Sequence, residues 1–270
     1  MEKPKQFNNK KTALITGASG GIGYELSKLF AQDGYDLVLV ARNKQKLEEL
    51  ANKLKKNFGV SAKVISKDLS VAASPQEIFD ELYQESIHIA ILVNNAGFGG
   101  CGHFSGTNLK NELDMIQVNL VSLTHLTKLF LPGMLEQGSG KILNVGSTGS
   151  FVPVPLEAVY GATKAYVLSF SEAIAEELEG TGVTVTALCP GPTHTGFAKR
   201  AQMEDARMFK FGFGIMNAET VAEIGYRGLM KGNRVVIPGI FNRLQMFLIK
   251  FTPGKIVAKL TKYQMSGGTK

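Results

Sequence analysis

Cysteine, clustered histidine and long apolar stretches are all scarce in this chain of 270 residues. Cys101 and Cys189 are its two cysteines, far apart and without CxxC spacing, and the four histidines are scattered. We therefore expect no disulfide framework, no metal site and a reducing compartment. The N-terminal segment, residues 1–10, is polar, and no stretch offers the roughly 20 apolar residues of a spanning helix. These absences together predict a cytoplasmic protein.

Acidic residues are absent from residue 224 onward, where the chain has nine basic residues. Up to Glu223 there are 21 basic and 23 acidic residues, so the net charge of +7 comes entirely from the C-terminal part. Nucleic-acid binding would require a basic groove across the fold. We therefore expect no nucleic-acid partner and a single local cationic face instead.

Seven short apolar runs alternate with segments whose apolar residues recur every three or four positions. Near-continuous apolar strands separated by helices of crossover length indicate a parallel sheet covered on both faces. We predict an α/β fold, a doubly wound Rossmann domain with a mainly seven-stranded parallel sheet and one domain over residues 11–239. The predicted strands are residues 12–15, 37–40, 62–65, 89–93, 141–145, 183–188 and 234–237.

Two segments interrupt this alternation. Residues 192–216 follow the sixth strand and are rich in Met, Phe and Gly, as expected of an active-site lid. Residues 240–270 form a basic extension that reads as two short amphipathic helices. Its apolar faces could cover the core or a partner subunit, or they could give weak peripheral contact with an anionic membrane.

The first strand leads into a glycine-rich turn that opens a helix, and the spacing is GxxxGxG. Glycines allow the backbone to turn sharply and to approach a pyrophosphate, and the free amides at the helix start favour its charge. Taken alone the turn could also serve only close helix packing. The residues concerned are Gly17, Ser19, Gly21, Ile22 and Gly23.

The ends of the later strands carry further polar and glycine residues, and their order resembles the short-chain dehydrogenase/reductase family over about residues 10–240. The matching positions are the NNAG motif with Asn95, Ala96 and Gly97, the pair Asp68 and Leu69, the set Asn119, Ser147, Tyr160 and Lys164, and Pro190, Gly191 and Thr193. Within the family, the sequence looks most like hydroxysteroid dehydrogenases and 3-ketoacyl reductases, some of which have a similar basic extension.

The YxxxK pair indicates acid–base chemistry even without the resemblance. Tyr160 and Lys164 are four residues apart, and such residues lie on one face of a helix. A neighbouring ammonium favours the phenolate, so we expect Lys164 to lower the pKa of Tyr160 and make it a usable general acid or base.

The resemblance implies a role for each matching residue. Tyr160 would exchange the proton with the substrate oxygen, and Ser147 would hydrogen-bond the same oxygen. Lys164 would hold the nicotinamide ribose, and Asn119 would hold a water molecule in a proton relay. The implied cofactor-binding residues are Gly17, Ser19, Gly21, Ile22, Gly23, Arg42, Asp68, Leu69, Asn95, Ala96, Gly97, Tyr160, Lys164, Pro190, Gly191 and Thr193.

The end of the second strand indicates the cofactor. Enzymes that use NAD place an acid there to bind the ribose 2′-hydroxyl, and here that position is Ala41. Arg42 follows, and its planar guanidinium suits a 2′-phosphate, so we expect NADP(H).

The apolar residues near Ser147 and in the lid favour a bulky, weakly polar ketone or secondary alcohol. A hydroxysteroid is our first expectation and a 3-ketoacyl thioester the alternative, while a non-catalytic NADP-binding redox sensor is a third reading. The residues considered are Phe98, Phe151, Val152, Pro153, Val154 and Pro155 near the strand ends, and Phe197, Met203, Met208, Phe209, Phe211, Phe213 and Met216 in the lid. We also expect a homo-oligomer, a dimer or a tetramer.

Overall fold

The seven apolar runs form one parallel sheet, which confirms the predicted fold class. In a computed structural model that describes residues 11–210 and 214–267, this sheet has the strand order β3-β2-β1-β4-β5-β6-β9. The strands are β1 (Thr12–Thr16), β2 (Asp36–Ala41), β3 (Ala62–Ser66), β4 (Ile89–Asn94), β5 (Gly140–Val145), β6 (Val183–Leu188), β7 (Thr193–His194), β8 (Met216–Asn217) and β9 (Val235–Val236). Strands β7 and β8 pair with each other beside the main sheet. The segment 1–10 and the lid residues Phe211 and Phe213 lie outside the described residues.

Helices cover both faces of the sheet. They are α1 (Gly21–Gln32), α2 (Lys44–Phe58), α3 (Ser74–Gln84), α4 (Leu109–Ile116), α5 (Leu123–Glu136), α6 (Ala158–Glu177), α7 (Phe197–Arg200), α8 (Arg207–Lys210), α9 (Ala218–Met230), α10 (Ile240–Ile249) and α11 (Gly254–Met265). Leu26, Leu47 and Leu229 of α1, α2 and α9 are buried on one face. Ile78, Leu126 and Ile174 of α3, α5 and α6 pack on the other.

The strand order changes direction between β1 and β4. In an open parallel sheet, such a switch point leaves a crevice at the carboxyl ends of the strands, where ligands bind. The order therefore places the glycine turn after β1 and the NNAG segment after β4 side by side.

The helical segment that contains Asn119 is not a regular α-helix. Between α4 and α5, residues Gln117–Ser122 form a π-helical turn, which widens the helix at this point. Asn119 is buried in this turn. Short π-helical turns are frequent at functional sites, and no sequence pattern considered above indicates this one.

The basic extension packs against the body of the fold. Asn242 and Met246 of α10 and Val257 and Met265 of α11 are buried. A Cβ atom added at Gly191 would lie 2.6 Å from Nδ2 of Asn242, so α10 contacts the loop after β6 closely. Within residues 11–210 and 214–267, no helix is both long and apolar enough to cross a bilayer.

The loops that lead into β5 and β6 touch each other through glycines. Gly182 has a φ of +81°, and a Cβ atom at this position would lie 2.0 Å from the carbonyl oxygen of Gly138. Gly180, two residues earlier, has a φ of +80° with no heavy atom within 4 Å of its Cβ position. An alanine at either position would therefore have the same unfavourable positive φ, but only an alanine at Gly182 would also clash with another backbone segment.

We expect Gly182→Ala to lower Tm more than Gly180→Ala, because only the former forces two backbones apart. The difference should be roughly 5 °C or more, since 1 kcal/mol corresponds to about 2–4 °C in a chain of this size. Thermal unfolding of both variants followed by circular dichroism measures it. Equal Tm values would contradict the close contact of the two loops.

Candidate active site

One large pocket lies at the carboxyl ends of the strands, with a volume of about 1900 Å³. The glycine turn and Arg42 line one end, and Ser147 and Tyr160 line the middle. Residues of α7, α10 and α11 border the remaining side, so the lid and the C-terminal extension both contribute to the wall.

The glycine turn is held against the end of β4. The Thr16 hydroxyl accepts hydrogen bonds from the backbone N–H groups of Asn95 and Ala96, both at 3.0 Å. The Asn95 side chain donates to the carbonyl oxygen of Thr16 at 2.9 Å. A Cβ atom at Gly23 would lie 2.5 Å from both the carbonyl oxygen of Gly17 and Nδ2 of Asn95. Only glycine fits here, which permits the close turn that a pyrophosphate requires.

The start of α1 is suited to an anion. Its N-cap residue Gly20 makes no side-chain cap hydrogen bond, and Ser19, Gly20, Gly21 and Ile22 at the helix start line the pocket. Uncapped amides and the helix dipole both favour negative charge at this position. The turn and the helix start thus fit a dinucleotide phosphate.

Basic residues gather around the end of β2. Arg42 lies 3.8 Å from Asp68 in a loose pair, and both side chains are exposed. Lys46 of α2 lines the same part of the pocket. Desolvation raises the pKa of Asp68, but hydrogen bonds from Ser70 and the charges of Arg42 and Arg200 bring it below its ordinary value. Asp68 is therefore ionised, and Arg42 has no tight partner that would keep it from a phosphate.

Ser147 and Tyr160 lie together in the pocket. The Ser147 hydroxyl oxygen accepts from the backbone N–H of Gly149 at 3.0 Å, which fixes the side chain at the end of β5. A hydrogen bond from Ser147 acts to lower the pKa of Tyr160. Desolvation is the larger effect and, with the charge of Glu157, raises the pKa of Tyr160 above its ordinary value. The phenol is therefore protonated at neutral pH.

Lys164 is buried one turn further along α6. Its ammonium donates to the carbonyl oxygen of Val145 at 2.7 Å and lies 5.7 Å from the centre of the Tyr160 ring. Burial lowers its pKa to about 8. The sequence predicts that Lys164 lowers the pKa of Tyr160. In the structure the pKa of Tyr160 is raised instead, because burial disfavours the charged form of both groups.

Asn119 is bonded to the loop after β4. Its Oδ1 accepts from the backbone N–H of Phe98 at 3.1 Å, and its Nδ2 donates to the Phe98 carbonyl at 2.9 Å and to the Thr163 hydroxyl at 3.1 Å. A Cβ atom at Gly97 would lie 3.1 Å from Oδ1 of Asn119 and 3.4 Å from Nζ of Lys164. The amide thus sits beside Lys164, and its own hydrogen bonds position the loop.

Most of the site residues predicted from the sequence meet in this pocket, although their roles stay predictions. Gly23 and Asn119 do not line the pocket. Gly23 lets α1 approach the backbone of Gly17, and Asn119 hydrogen-bonds the backbone of Phe98. Those that line it are Gly17, Ser19, Gly21, Ile22, Arg42, Asp68, Leu69, Asn95, Ala96, Gly97, Ser147, Tyr160, Lys164, Pro190, Gly191 and Thr193.

The apolar residues expected around the substrate divide into two groups. Phe197 of α7 packs against the Tyr160 ring with centroids 5.3 Å apart, and Phe98, Val152, Val154, Met208 and Phe209 also line the pocket. Met203 lines it as well but is almost fully buried in a cluster with Val154 and Met265. Phe151 packs on Leu168 and Cys189, and Met216 packs on the core, so these two serve the body of the fold.

Two buried acids in the pocket wall were not found from the sequence. Glu112 of α4 and Glu157 before α6 line the pocket, and one oxygen of each has no hydrogen-bond partner among the residues that the structure describes. Desolvation, together with the charge of Glu112, raises the pKa of Glu157 to about 8. The sequence feature that could have indicated Glu157 is its position three residues before Tyr160. No group of three or more metal-ligating side chains occurs in the part of the chain that the structure describes.

The sheet order, the glycine turn and the uncapped helix start define a dinucleotide-binding α/β protein. A family model described as short chain dehydrogenase matches residues 11–206. The chain belongs to the short-chain dehydrogenase family and is an oxidoreductase.

Curated relatives include an uncharacterized oxidoreductase of Staphylococcus epidermidis, 36% identical over 201 residues, which are 72% of this chain and 86% of the relative. The very-long-chain 3-oxoacyl-CoA reductase of Rattus norvegicus is 35% identical over 69% of this chain and 61% of its own length.

Solved structures similar to this chain also include dehydrogenases. A short-chain dehydrogenase from Sphingobium yanoikuyae in complex with NADPH has a TM-score of 0.79 and 31% identity, covering 90% of this chain and 96% of that one. The bulky-bulky ketone specific alcohol dehydrogenase from Comamonas testosteroni has a TM-score of 0.75 and 30% identity, covering 91% and 96%.

Proposed function

We propose that this protein is an NADP(H)-dependent oxidoreductase that interconverts a bulky, largely apolar ketone and its secondary alcohol. The observation that carries the proposal is the pairing of Ser147 and Tyr160 in an open pocket between a phosphate-binding turn and an apolar wall. A binding protein that only senses the cofactor has no use for a proton donor at this position, which disfavours the redox-sensor reading.

The hydride comes from the nicotinamide ring when the cofactor is bound. Tyr160 then donates its proton to the carbonyl oxygen as that oxygen gains negative charge. The Ser147 hydroxyl oxygen accepts from Gly149 and its hydrogen is directed at Tyr160; with substrate bound, that hydrogen would turn to the same carbonyl oxygen and orient it. Lys164, held by the Val145 carbonyl, would bind the ribose hydroxyls.

The protonation state of Tyr160 favours reduction at neutral pH. Desolvation raises the pKa of the phenol, so its proton is present when the carbonyl oxygen needs it. The reverse reaction needs the phenolate, and we therefore expect alcohol oxidation to increase towards alkaline pH.

NADP(H) is proposed over NAD(H) because of the charge at the end of β2. Ala41 offers no carboxylate to a ribose hydroxyl, while Arg42 and Lys46 line the pocket where a 2′-phosphate would lie. The NADPH in the related Sphingobium yanoikuyae structure is consistent with this choice.

The substrate class is proposed from the pocket wall. Val152, Phe197 and Met208 offer a large apolar surface, which suits a hydroxysteroid. The 3-oxoacyl thioester is the second candidate because of the similarity to the Rattus norvegicus reductase.

Tyr160→Phe should reduce kcat by roughly 10²–10⁴-fold, because the ring stays and the transferable proton is lost. NADPH binding, measured by fluorescence, should persist. The matched control is Tyr166→Phe on the same helix, whose hydroxyl contacts Thr124 at 2.9 Å outside the pocket. Near-normal turnover of a bulky ketone by Tyr160→Phe would exclude the proposed acid.

The double variant with Ala41→Asp and Arg42→Ala should prefer NADH, because an acid then replaces the cation at the 2′ position. Steady-state kcat/KM with NADPH and NADH measures the preference. Lys44→Ala removes a neighbouring exposed cation that pairs with Glu48 and does not line the pocket, and it should leave the preference unchanged. If the wild type used both cofactors equally well, the assignment of Arg42 would be wrong.

The C-terminal extension is proposed to bring this cytoplasmic enzyme to an anionic membrane. Leu244, Phe247, Leu248 and Phe251 of α10 and its end are all more than half exposed, so they do not cover the core of this chain. The chain from residue 224 onward has basic but no acidic residues, which complements anionic lipid. Gln245, Ile249 and Tyr263 line the pocket, so a docked membrane would lie beside its entrance.

Replacing Phe247, Leu248 and Phe251 together by serine should abolish co-sedimentation with anionic vesicles, because it removes the apolar side chains that would enter the interface. These exposed positions are preferable to deletion of residues 240–270, which would remove the buried Met246 and Met265. Binding of the wild type should weaken with salt and vanish on neutral vesicles. The control is Tyr83→Ser, an equally exposed aromatic on α3.

Equal sedimentation of the triple variant and the wild type would contradict membrane docking. A triple variant that instead dissociates a wild-type oligomer would assign this surface to a partner subunit. We expect a dimer or tetramer in which other exposed apolar residues, such as Leu113 of α4, form the contact.

A further inference from the structure

Two glutamate side chains lie in the apolar part of the pocket wall, and one oxygen of each lacks a hydrogen-bond partner within residues 11–210 and 214–267. Glu157 is 4% exposed and Glu112 is 9% exposed, and the unpartnered atoms are Oε1 of Glu157 and Oε2 of Glu112. A buried polar atom without a partner destabilises the folded protein. Both residues line the pocket, so a molecule bound there would contact their side chains.

The Glu157 carboxyl is close to the reacting position. A Cβ atom at Gly99 would lie 2.8 Å from Oε1 of Glu157 and 3.4 Å from Cδ2 of Tyr160. The carboxyl and the ring of the proposed acid therefore border the same short stretch of backbone. A substrate whose carbonyl faces Tyr160 can therefore also place a nearby group against Glu157.

The neighbours of Glu157 determine which group fits. Met115, Val154 and Phe197 line the surrounding wall and make a fully charged ligand costly to bury. The titratable groups that face Glu157 are Glu112, Cys101 and Tyr160. None of these is a cation that could satisfy a carboxylate. A neutral group that both donates and accepts hydrogen bonds matches this setting, and a hydroxyl is the smallest such group.

We propose that Glu157, with Glu112 beside it, binds a hydroxyl group of the substrate, so that the enzyme selects bulky ketones with a hydroxyl close to the reacting carbonyl. The inference rests on the proposed ketone reduction. It favours hydroxy ketones over 3-oxoacyl thioesters, whose chain next to the carbonyl has no hydrogen-bond donor.

The elevated pKa of Glu157 supports this choice. Burial keeps the carboxyl largely protonated at neutral pH, and a protonated carboxyl can donate one hydrogen bond and accept another. It can therefore satisfy both the hydrogen and the oxygen of a substrate hydroxyl.

Reduction of benzoin and deoxybenzoin by NADPH tests the proposal, because these two bulky ketones differ only in the hydroxyl next to the carbonyl. We expect kcat/KM for benzoin to exceed that for deoxybenzoin by about tenfold or more. Glu157→Leu should reduce the ratio to within about twofold, because the hydroxyl then loses its hydrogen-bond partner. Glu157→Gln, which can also donate and accept, should keep most of the preference.

The leucine variant should fold, because replacing an unpartnered buried acid by an apolar side chain removes a desolvation cost. A Tm equal to or above that of the wild type would show this, and Glu112→Leu provides a second variant with the same expected loss of preference. Glu177→Leu, an exposed position at the end of α6, is the matched control and should keep the wild-type ratio.

The outcomes separate this inference from the proposed function. Turnover of both ketones with equal kcat/KM, or a ratio unchanged in Glu157→Leu, would overturn the hydroxyl site and leave ketone reduction intact. Higher kcat/KM for the 2-amino analogue than for benzoin would also overturn it, in favour of a cation site. NADPH binding without turnover of any ketone would overturn the proposed function itself.

Discussion

The close contact between the turn after β1 and the end of β4 is the constraint on which the whole site depends. Thr16 and Asn95 join the two strand ends by hydrogen bonds, and the absence of a side chain at Gly23 lets the start of α1 pack closely against the carbonyl oxygen of Gly17 and the side chain of Asn95. This contact sets the width of the crevice at the switch point. It also brings the start of α1, where we propose that the cofactor phosphate binds, and the loop that carries Gly97 and Phe98 together in the pocket wall.

A second contact connects α6, which carries the proposed acid Tyr160, to the sheet. Lys164 donates to the Val145 carbonyl at the end of β5, two residues before Ser147, so one hydrogen bond sets the distance between the strand and α6. Tyr160 is carried on the same helix and reaches the pocket beside Ser147. The interaction requires a buried ammonium, whose pKa burial lowers to about 8. Burial of the Lys164 ammonium is thus unfavourable in energy, but it holds Tyr160 in a fixed position beside Ser147.

The two buried glutamates, like Lys164, are energetically unfavourable groups in the wall of the site. A stable core has few unpartnered polar atoms, and those that remain call for a functional explanation. Glu112 comes from α4 and Glu157 from the residue before α6, and packing between these helices brings the two acids into electrostatic contact. Their location in the pocket wall connects the energetics of burial with the choice of substrate.

The sequence by itself determined the sheet, because its apolar runs have the length and spacing of buried parallel strands, and it determined which residues end those strands. Glycine spacing predicts the phosphate turn, and the four-residue step from Tyr160 to Lys164 predicts their common helix face, since both are local properties of the backbone. Only the tertiary structure decided the burial of Lys164, the π-helical turn at Asn119, the meeting of Glu112 with Glu157 and the exposure of Phe247 and Phe251. These features depend on contacts between segments far apart in the chain, and desolvation at such contacts leaves no periodic signal in the sequence.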